Sequence, residues 1–382
     1  MGYLHVEVKA FQASKRKNLV CGDVFIEERN EHSTTIILCD GLGSGIKANL
    51  AATMCATRLM ELLRNDFSLR NAFAALVKTM EEARLKDFPY SVFSVARILN
   101  DGVTSILSYE MPPPIFISGR FASVLPQRIF TVDNSIIGES NCFLKAKESI
   151  LLVTDGITQA GLGKGMGKGW GSENLNKYVN SLLTLGYDYN ELPEKIEQKA
   201  EEIWKFRLED DCTAIIAKGR KGKIINLFTG PPKDKELDKE LVDKFLNLDG
   251  LKIVCGATTG KIVSRVTGKQ FKMEENFTSN LAPLSYSIEG IDLVTEGAVT
   301  LNQVYNIWDA DPSTMEKDSP VTDLYSLLSV ADKVHLMLGQ TENPANDDIS
   351  FLQHGILKRN KIIPLLINKL KEDGKLVTTE YF

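Results

Sequence analysis

Two periodicities share the first half of the chain. Thr34-Thr35-Ile36-Ile37-Leu38-Cys39 is a β-branched, apolar run that reads as a buried strand ending at Asp40. Gly41, Gly43 and Gly45 then predict a tight turn. Beyond it Ile46, Leu50, Met54, Leu59 and Leu62-Leu63 recur at helical spacing. A second helix is predicted from about 69 to 83, with Phe73, Leu76, Val77 and Met80 on its inner face. Strands are predicted at 91–99, 103–109, 115–118, 128–132 and 149–154, with Asn100-Asp101-Gly102 as a hairpin turn signal. Helices over about 173–184 and 191–207, then a strand at 212–217, close this half.

Lys218-Gly-Arg-Lys-Gly222 is short, basic and glycine-containing, and predicts a junction between domains at 1–218 and 223–382. A new α/β pattern starts at Lys223-Ile-Ile-Asn-Leu-Phe. It continues with a charged helix at about 234–247, a strand at 251–255, a Gly/Thr loop and another helix. From about Val321 onward the pattern predicts mostly helix.

Four acidic motifs stand beside the buried strands of the first half: Gly22-Asp23, Asp40-Gly41-Leu42-Gly43, Asp155-Gly156 and Asp210-Asp211. A lone Asp-Gly pair is usually a turn. Four in order, each flanking an apolar strand, point instead to a shared cation, because carboxylates are costly to bury uncompensated. Glycine beside the acid lets a metal approach the backbone, where the Gly41 carbonyl offers a hard oxygen ligand. The four histidines, His5, His32, His335 and His354, fall in no ligand pattern, which disfavours zinc. An oxygen-only set suits two Mg²⁺ or Mn²⁺ ions activating water against a phosphoryl group.

Composition narrows the classes. The chain has 382 residues, 43% hydrophobic and 25% charged, with net charge -5. A mildly acidic balance gives no support for nucleic-acid binding. No apolar run approaches the ~18 residues of a membrane span, and the N-terminus lacks a signal-peptide core. The six cysteines form no CxxC pair and sit in apolar contexts, as reduced cytoplasmic thiols do. Cys21, Cys39 and Cys212 stand beside acidic motifs, where strand packing is favoured over a redox switch.

With these motifs in hand, residues 17–217 resemble the metal-dependent protein phosphatase 2C superfamily, and within it the bacterial branch typified by the stage II sporulation protein E phosphatase. Lys17-Asn-Leu-Val-Cys-Gly-Asp-Val-Phe, Leu38-Cys-Asp-Gly-Leu-Gly-Ser-Gly-Ile-Lys-Ala48, Pro113-Pro114, Ile136-Ile137-Gly138, Leu152-Val-Thr-Asp-Gly-Ile157 and Asp210-Asp-Cys-Thr213 fall in the branch's order. The resemblance implies an α+β fold, an α-β-β-α sandwich of two antiparallel sheets, followed here by a separate α/β domain. It implies metal ligation by Asp40, the Gly41 carbonyl, Asp155 and Asp210, with Asp23 at the second metal and Asp211 supporting the ligands. Asp40, Asp155 and Asp210 would carry the catalysis: hydrolysis of a phosphoserine or phosphothreonine monoester with no phospho-enzyme. Gly22 stands where the eukaryotic branch has glutamate, which predicts a weakly held second ion. Leu42 stands where that branch has a candidate acid, histidine. Arg16 and Lys17 lie near the position of its phosphate-binding arginine without clearly matching it.

The expected partners are a phosphoprotein substrate, of the small anti-sigma-factor-antagonist type by resemblance, and either a second copy of the chain or an activating protein. The rival readings are a catalytically silent phosphoprotein-binding module and a small-molecule phosphatase whose C-terminal domain binds the substrate. The glycine-rich loop 161–171 is read as a flexible flap, with Lys164 and Lys168 toward solvent or an acidic substrate surface. In the second half, Gly256, Thr258, Thr259 and Gly260 follow a strand and precede a helix, a candidate ligand loop. The spacing is one residue short of a P-loop and Ile262 replaces its Ser/Thr. A helix cap by Thr258 or Thr259 is the plainer reading. Glu296 and the loop 338–344 are candidates to face or cover the same cleft.

Overall fold

The computed structural model describes residues 2–15, 20–43, 45–206, 208–274, 284–316, 319–341 and 355–382. The chain divides into two compact units, Tyr3–Lys221 and Gly222–Phe382.

The N-terminal unit is built on two antiparallel sheets. Strands β1 (Leu4–Ala13), β2 (Asp23–Arg29) and β3 (Ser33–Gly41) precede helices α1 (Ile46–Arg64) and α2 (Leu69–Leu85). Then come β4 (Ser91–Leu99), β5 (Val103–Tyr109), β6 (Ile115–Ser118), β7 (Phe121–Val124), β8 (Arg128–Val132), β9 (Ser135–Phe143) and β10 (Glu148–Val153). Helices α3 (Asp155–Thr158), α4 (Gly171–Leu185) and α5 (Leu192–Ile203) lead to β11 (Cys212–Lys221). One sheet has the order β2-β3-β4-β5-β9-β8 and the other β1-β11-β10-β6-β7. Helices α1 and α2 cover the first; α4 and α5 cover the second. The result is the α-β-β-α sandwich that the resemblance implied.

Side-chain alternation explains why the sheets stack. On β10, Ile150 and Leu152 join the core between the sheets, while Leu151 and Val153 face the core under α4 and α5. On β11, Ile215 and Ala217 point inward, and Ala214 and Ile216 point to the helices. The period of two puts apolar residues on both faces because both are covered. β3 is buried along its whole length, being sandwiched between α1 and the second sheet. At the β4–β5 hairpin, Asp101 Oδ1 accepts from the Val103 amide at 3.0 Å, and Gly102 takes φ +102°.

The sequence pattern does not single out β1, an edge strand with polar residues on its outer positions, nor β9. The helix predicted to 207 stops at Ile203, where Lys205 and Phe206 adopt φ of 58° and 61°. The loop after Asp155 carries turn hydrogen bonds of its own. The Gly161 carbonyl accepts from the Lys164 and Met166 amides at 3.0 and 3.3 Å.

The C-terminal unit is a doubly wound α/β layer. Its strands are β12 (Ile224–Thr229), β13 (Leu251–Cys255), β14 (Lys272–Glu274), β15 (Ser285–Ser287), β16 (Leu293–Thr295), β17 (Lys333–Leu338) and β18 (Leu376–Tyr381). They lie in the order β14-β15-β16-β13-β12-β17-β18, with β16, β13, β12, β17 and β18 parallel. Helices α6 (Asp238–Asn247) and α7 (Ala257–Thr267) pack on one face. On the other face lie α8 (Ala298–Ile307), α9 (Pro320–Val330) and α10 (Arg359–Glu372). The prediction of a mostly helical end from Val321 is corrected by β17 and β18. Lys333-Val-His-Leu-Met-Leu is a central strand whose apolar residues fill both faces, so it shows no clean alternation.

Candidate active site

The four acidic motifs meet at one end of the N-terminal sandwich. Asp23 and Asp40 lie opposite each other in the β2–β3 ladder. Like charges directly opposite on paired strands repel. Asp155 opens α3, separated from the end of β10 by Thr154 alone, and Asp210-Asp211 immediately precede β11. Because β10 and β11 are paired, the second pair of motifs shares one sheet edge.

Close backbone packing fixes this edge. A Cβ on Gly41 would lie 2.0 Å from the Ala48 carbonyl oxygen, so α1 rests directly on the end of β3. A Cβ on Gly156 would lie 2.0 Å from the Asp211 carbonyl oxygen, which sets the Asp155 turn against the Asp210-Asp211 segment. A Cβ on Gly22 would meet Asp211 Oδ2 at 2.7 Å. A side chain at position 22 would have to displace the Asp211 carboxylate that accepts from the Gly22 amide, so glycine here also serves packing.

Each acid has its own environment. Asp23 is 2% exposed, and its Oδ2 accepts from Thr154 Oγ1 at 2.9 Å and Thr213 Oγ1 at 2.6 Å. Its Oδ1 is buried without a hydrogen-bond partner. Asp155 Oδ2 accepts from Gln159 Nε2 at 2.6 Å, and its Oδ1 is likewise buried and unpartnered. Asp211 is different: Oδ1 accepts from the Lys15 amide and Oδ2 from the Gly22 amide, both at 2.7 Å. Both its oxygens are thus engaged in holding the backbone that carries Asp23.

Burial and crowding raise the proton affinity of Asp40, Asp23 and Asp210. Burial, with repulsion from Asp23 and Asp155, pushes the Asp40 carboxyl up to about 10. Burial also pushes Asp23 up to about 7, against the hydrogen bonds from Thr213 and Thr154. Asp210 rises to about 6, chiefly through burial and then Asp155. Among the described residues, no three His, Cys, Asp or Glu side chains are gathered closely enough to hold an ion as they stand. The residues nevertheless fit a divalent cation. Two buried acid oxygens lack partners, the donors are all oxygen, and the mutual repulsion is what a cation relieves.

Thr154, Thr213 and Gln159 are site residues that motif reading missed. Thr154 and Thr213 adjoin acidic motifs, but only the fold shows their hydroxyls converging on Asp23. The neighbouring thiols are held in the protonated form: burial pushes Cys21 up to about 12 and holds Cys39 and Cys212 well above the usual thiol range. Lys164 turns inward, its Nζ 3.1 Å from both the Trp204 carbonyl and Glu209 Oε1. Leu42 is 43% exposed. Arg16 and Lys17 lie outside the described residues.

The candidate loop of the C-terminal unit lies elsewhere, at the carboxyl edge of the parallel sheet. Gly256, with φ +125°, precedes α7 and occupies the capping position expected of Thr258 or Thr259. Thr258 is exposed. Thr259 Oγ1 accepts from the Gly230 amide at 2.9 Å and so ties the loop after β12 to α7. Gly260 makes room for Phe271, whose ring a Cβ would meet at 2.5 Å. Glu296 is half-buried and hydrogen-bonded to Tyr286, with burial raising its carboxyl. Of the loop 338–344, the last three residues lie outside the described set.

Comparison with known proteins places this geometry in context. The family model described as stage II sporulation protein E (SpoIIE) matches residues 30–220. Among solved structures, the chain is similar to the PP2C phosphatase domain and regulatory-domain fragment of the cell fate determinant SpoIIE from Bacillus subtilis. That match has 17% identity and a TM-score of 0.49, and covers 57% of this chain and 63% of that one. It is also similar to the RsbU and RsbW domains of a Mycobacterium tuberculosis protein, at 14% identity and TM-score 0.47, covering 64% and 69% of the two chains. A third match, RsbX in complex with magnesium, has 14% identity and a TM-score of 0.41, covering 57% and 100%. No curated protein sequence matched the chain.

Proposed function

The chain belongs to the stage II sporulation protein E family, and from that premise we propose that its N-terminal unit is a metal-dependent protein phosphatase hydrolysing phosphoserine or phosphothreonine monoesters. The observation that carries this reading is the convergence of buried carboxylates with unpartnered oxygens at one sheet edge. Asp40, the Gly41 carbonyl, Asp155 and Asp210 would hold Mn²⁺ or Mg²⁺, and Asp23 would serve a second ion. Such ions, when bound, lower the pKa of water and neutralise phosphoryl charge.

The chain's own residues orient that chemistry. Thr154 and Thr213 hold Asp23 through Oδ2 and leave Oδ1 for the ion. Gln159 does the same for Asp155. Asp211 fixes the Gly22-Asp23 turn through two amides, a supporting role. With Leu42 where the eukaryotic branch has a candidate acid, histidine, water and not a side chain would protonate the leaving serine or threonine.

For the substrate we propose a small phosphorylated anti-sigma-factor antagonist, with either a second copy of the chain or another protein as activator. The free thiols support action in the cytoplasm, and among the described residues no helix is long and apolar enough to cross a membrane. The decisive measurement is Mn²⁺-dependent hydrolysis of p-nitrophenyl phosphate and of a phosphoserine peptide. Asp40→Asn and Asp155→Asn should each lower the rate at least ~100-fold, about 2.7 kcal/mol of barrier. Activity surviving both substitutions would remove the metal-site assignment. Peptide binding without turnover would favour a silent binding module.

A further inference from the structure

At the opposite ends of β10 and β11 from the acids lies a second charged feature. An open cavity of about 590 Å³ is lined by Arg120, Lys145, Lys147 and Lys218, together with Glu148 and Tyr189. Its volume falls within the range of small-molecule sites, about 300–1,000 Å³. The single carboxylate in the lining is already engaged: Ser118 Oγ donates to Glu148 Oε1 at 2.9 Å, and the Lys145 amide donates to Oε2 at 2.8 Å. Among the described residues Arg120, Lys145 and Lys147 form no ion pair. Lys218 lies 4.0 Å from Asp188, with its Nζ 5.1 Å from the centre of the Tyr189 ring.

Four cations around one cavity are unexpected in a chain of net charge -5. The backbone that carries two of them is held in place. The Lys147 amide donates to the Gly219 carbonyl at 2.7 Å and the Glu148 amide to the Lys145 carbonyl at 3.1 Å, which fixes the β9–β10 turn that carries two of them. Tyr189 Oη donates to the Gly119 carbonyl at 2.7 Å, which anchors the ring beside Lys218. A concave surface of one sign focuses field and draws counter-ions. A fixed backbone lowers the ordering cost of binding.

We propose that this cavity binds a small anion carrying two or more phosphate groups. Lysines serve as point charges toward phosphate, and the arginine adds a planar fork. The site is distinct from the acid cluster. The two share the β10–β11 pair, and the seven-residue step from Glu148 to Asp155 separates them by roughly 20 Å at ~3.3 Å per residue.

The test is calorimetric titration of the full chain with inorganic pyrophosphate in EDTA, so that no divalent ion recruits it to the acid cluster. One-site binding is expected, at least tenfold weaker in the double variant Lys145→Glu/Lys147→Glu and unchanged in Asp40→Asn. Orthophosphate should bind more weakly than pyrophosphate. Both lysines are exposed, so the double variant should melt no lower than the parent, and Arg120→Gln gives an independent variant with the same expected direction. Absence of pyrophosphate binding at millimolar concentration would overturn the proposal. So would equal affinity in the lysine and arginine variants, or loss of binding in Asp40→Asn.

Discussion

The acid end of the N-terminal sandwich and the carboxyl edge of the C-terminal parallel sheet are built alike and behave differently. Each gathers glycine-flanked turns at strand ends, and each uses a glycine to bring backbones together. At the first, the polar groups are left in imbalance: two buried carboxylate oxygens lack partners and Asp40 is pushed up to about 10. At the second, the polar groups mainly bind one another. Thr259 receives the Gly230 amide, and Arg359 donates to the Gly339 and Thr341 carbonyls at 2.8 and 2.6 Å. Loop shape is common to both edges, and the second also leaves a buried hydroxyl, Thr229 Oγ1, without a partner; what separates the candidate reaction centre is uncompensated carboxylate charge.

The largest test of this contrast is Gly41→Ala. The new Cβ would sit 2.0 Å from a backbone oxygen of α1, which has no side-chain freedom to yield. The expected loss is roughly 3 kcal/mol or more of stability in the N-terminal unit, read by chemical denaturation. A loss below ~1 kcal/mol would mean that α1 does not rest on β3 as described.

Metal and pH probe the charge imbalance directly. The carboxyls of Asp210, Asp23 and Asp40 are raised to about 6, 7 and 10, above an ordinary carboxylate value near 4. At these three sites the folded metal-free state therefore binds more protons than the unfolded state from about pH 4 up to the folded values. Their contribution to stability is full below pH ~4 and is lost as pH rises through the folded values. Thermal melts in EDTA should show this decline, and Mn²⁺ should reverse it. At a hundredfold excess over its Kd, the ion should add about 2.7 kcal/mol, and the gain should be greater at pH 8 than at pH 5. A Mn²⁺ response that is flat with pH would argue against binding at these acids.

Asp211→Asn should have a smaller effect. It replaces an acceptor of two amides, on Lys15 and Gly22, by a side chain with one acceptor oxygen. A loss of about 2 kcal/mol of stability and roughly tenfold weaker Mn²⁺ binding are expected. If hydrolysis fell as far as in Asp40→Asn, Asp211 would be a ligand instead of a support. The smallest effect belongs to the C-terminal edge. Gly260→Ala presses on the Phe271 ring, which can shift, and should lower that unit's stability by about 1 kcal/mol with hydrolysis unchanged.

Much of the sandwich was legible because its central strands are long, apolar runs and its helices carry clean stripes. β3 and α1 could be read from residues 34–63 without the fold. β1 was not, because an edge strand tolerates polar residues on its outer face. β17 and β18 were not, because a strand covered on both faces and a short terminal strand lack the alternation that distinguishes strand from helix. The acidic motifs were visible as letters, yet their different environments were not. The resemblance already gave Asp211 a supporting role beside Asp210, but only the fold shows what it supports: the amides of Lys15 and Gly22.

What the sequence determined by itself was the list of acids, the strand ends that carry them and the chemistry that an all-oxygen set favours. These depend on residue type and local period, which neighbours along the chain supply. Tertiary structure alone decided which carboxylate oxygens stay unpartnered, that Thr154 and Thr213 meet at Asp23 across 131 and 190 positions, and that four cations share a cavity at the far end of the same strands. Those are facts of distance and burial, and the free energy of a charge is fixed by what lies within a few ångströms of it in space.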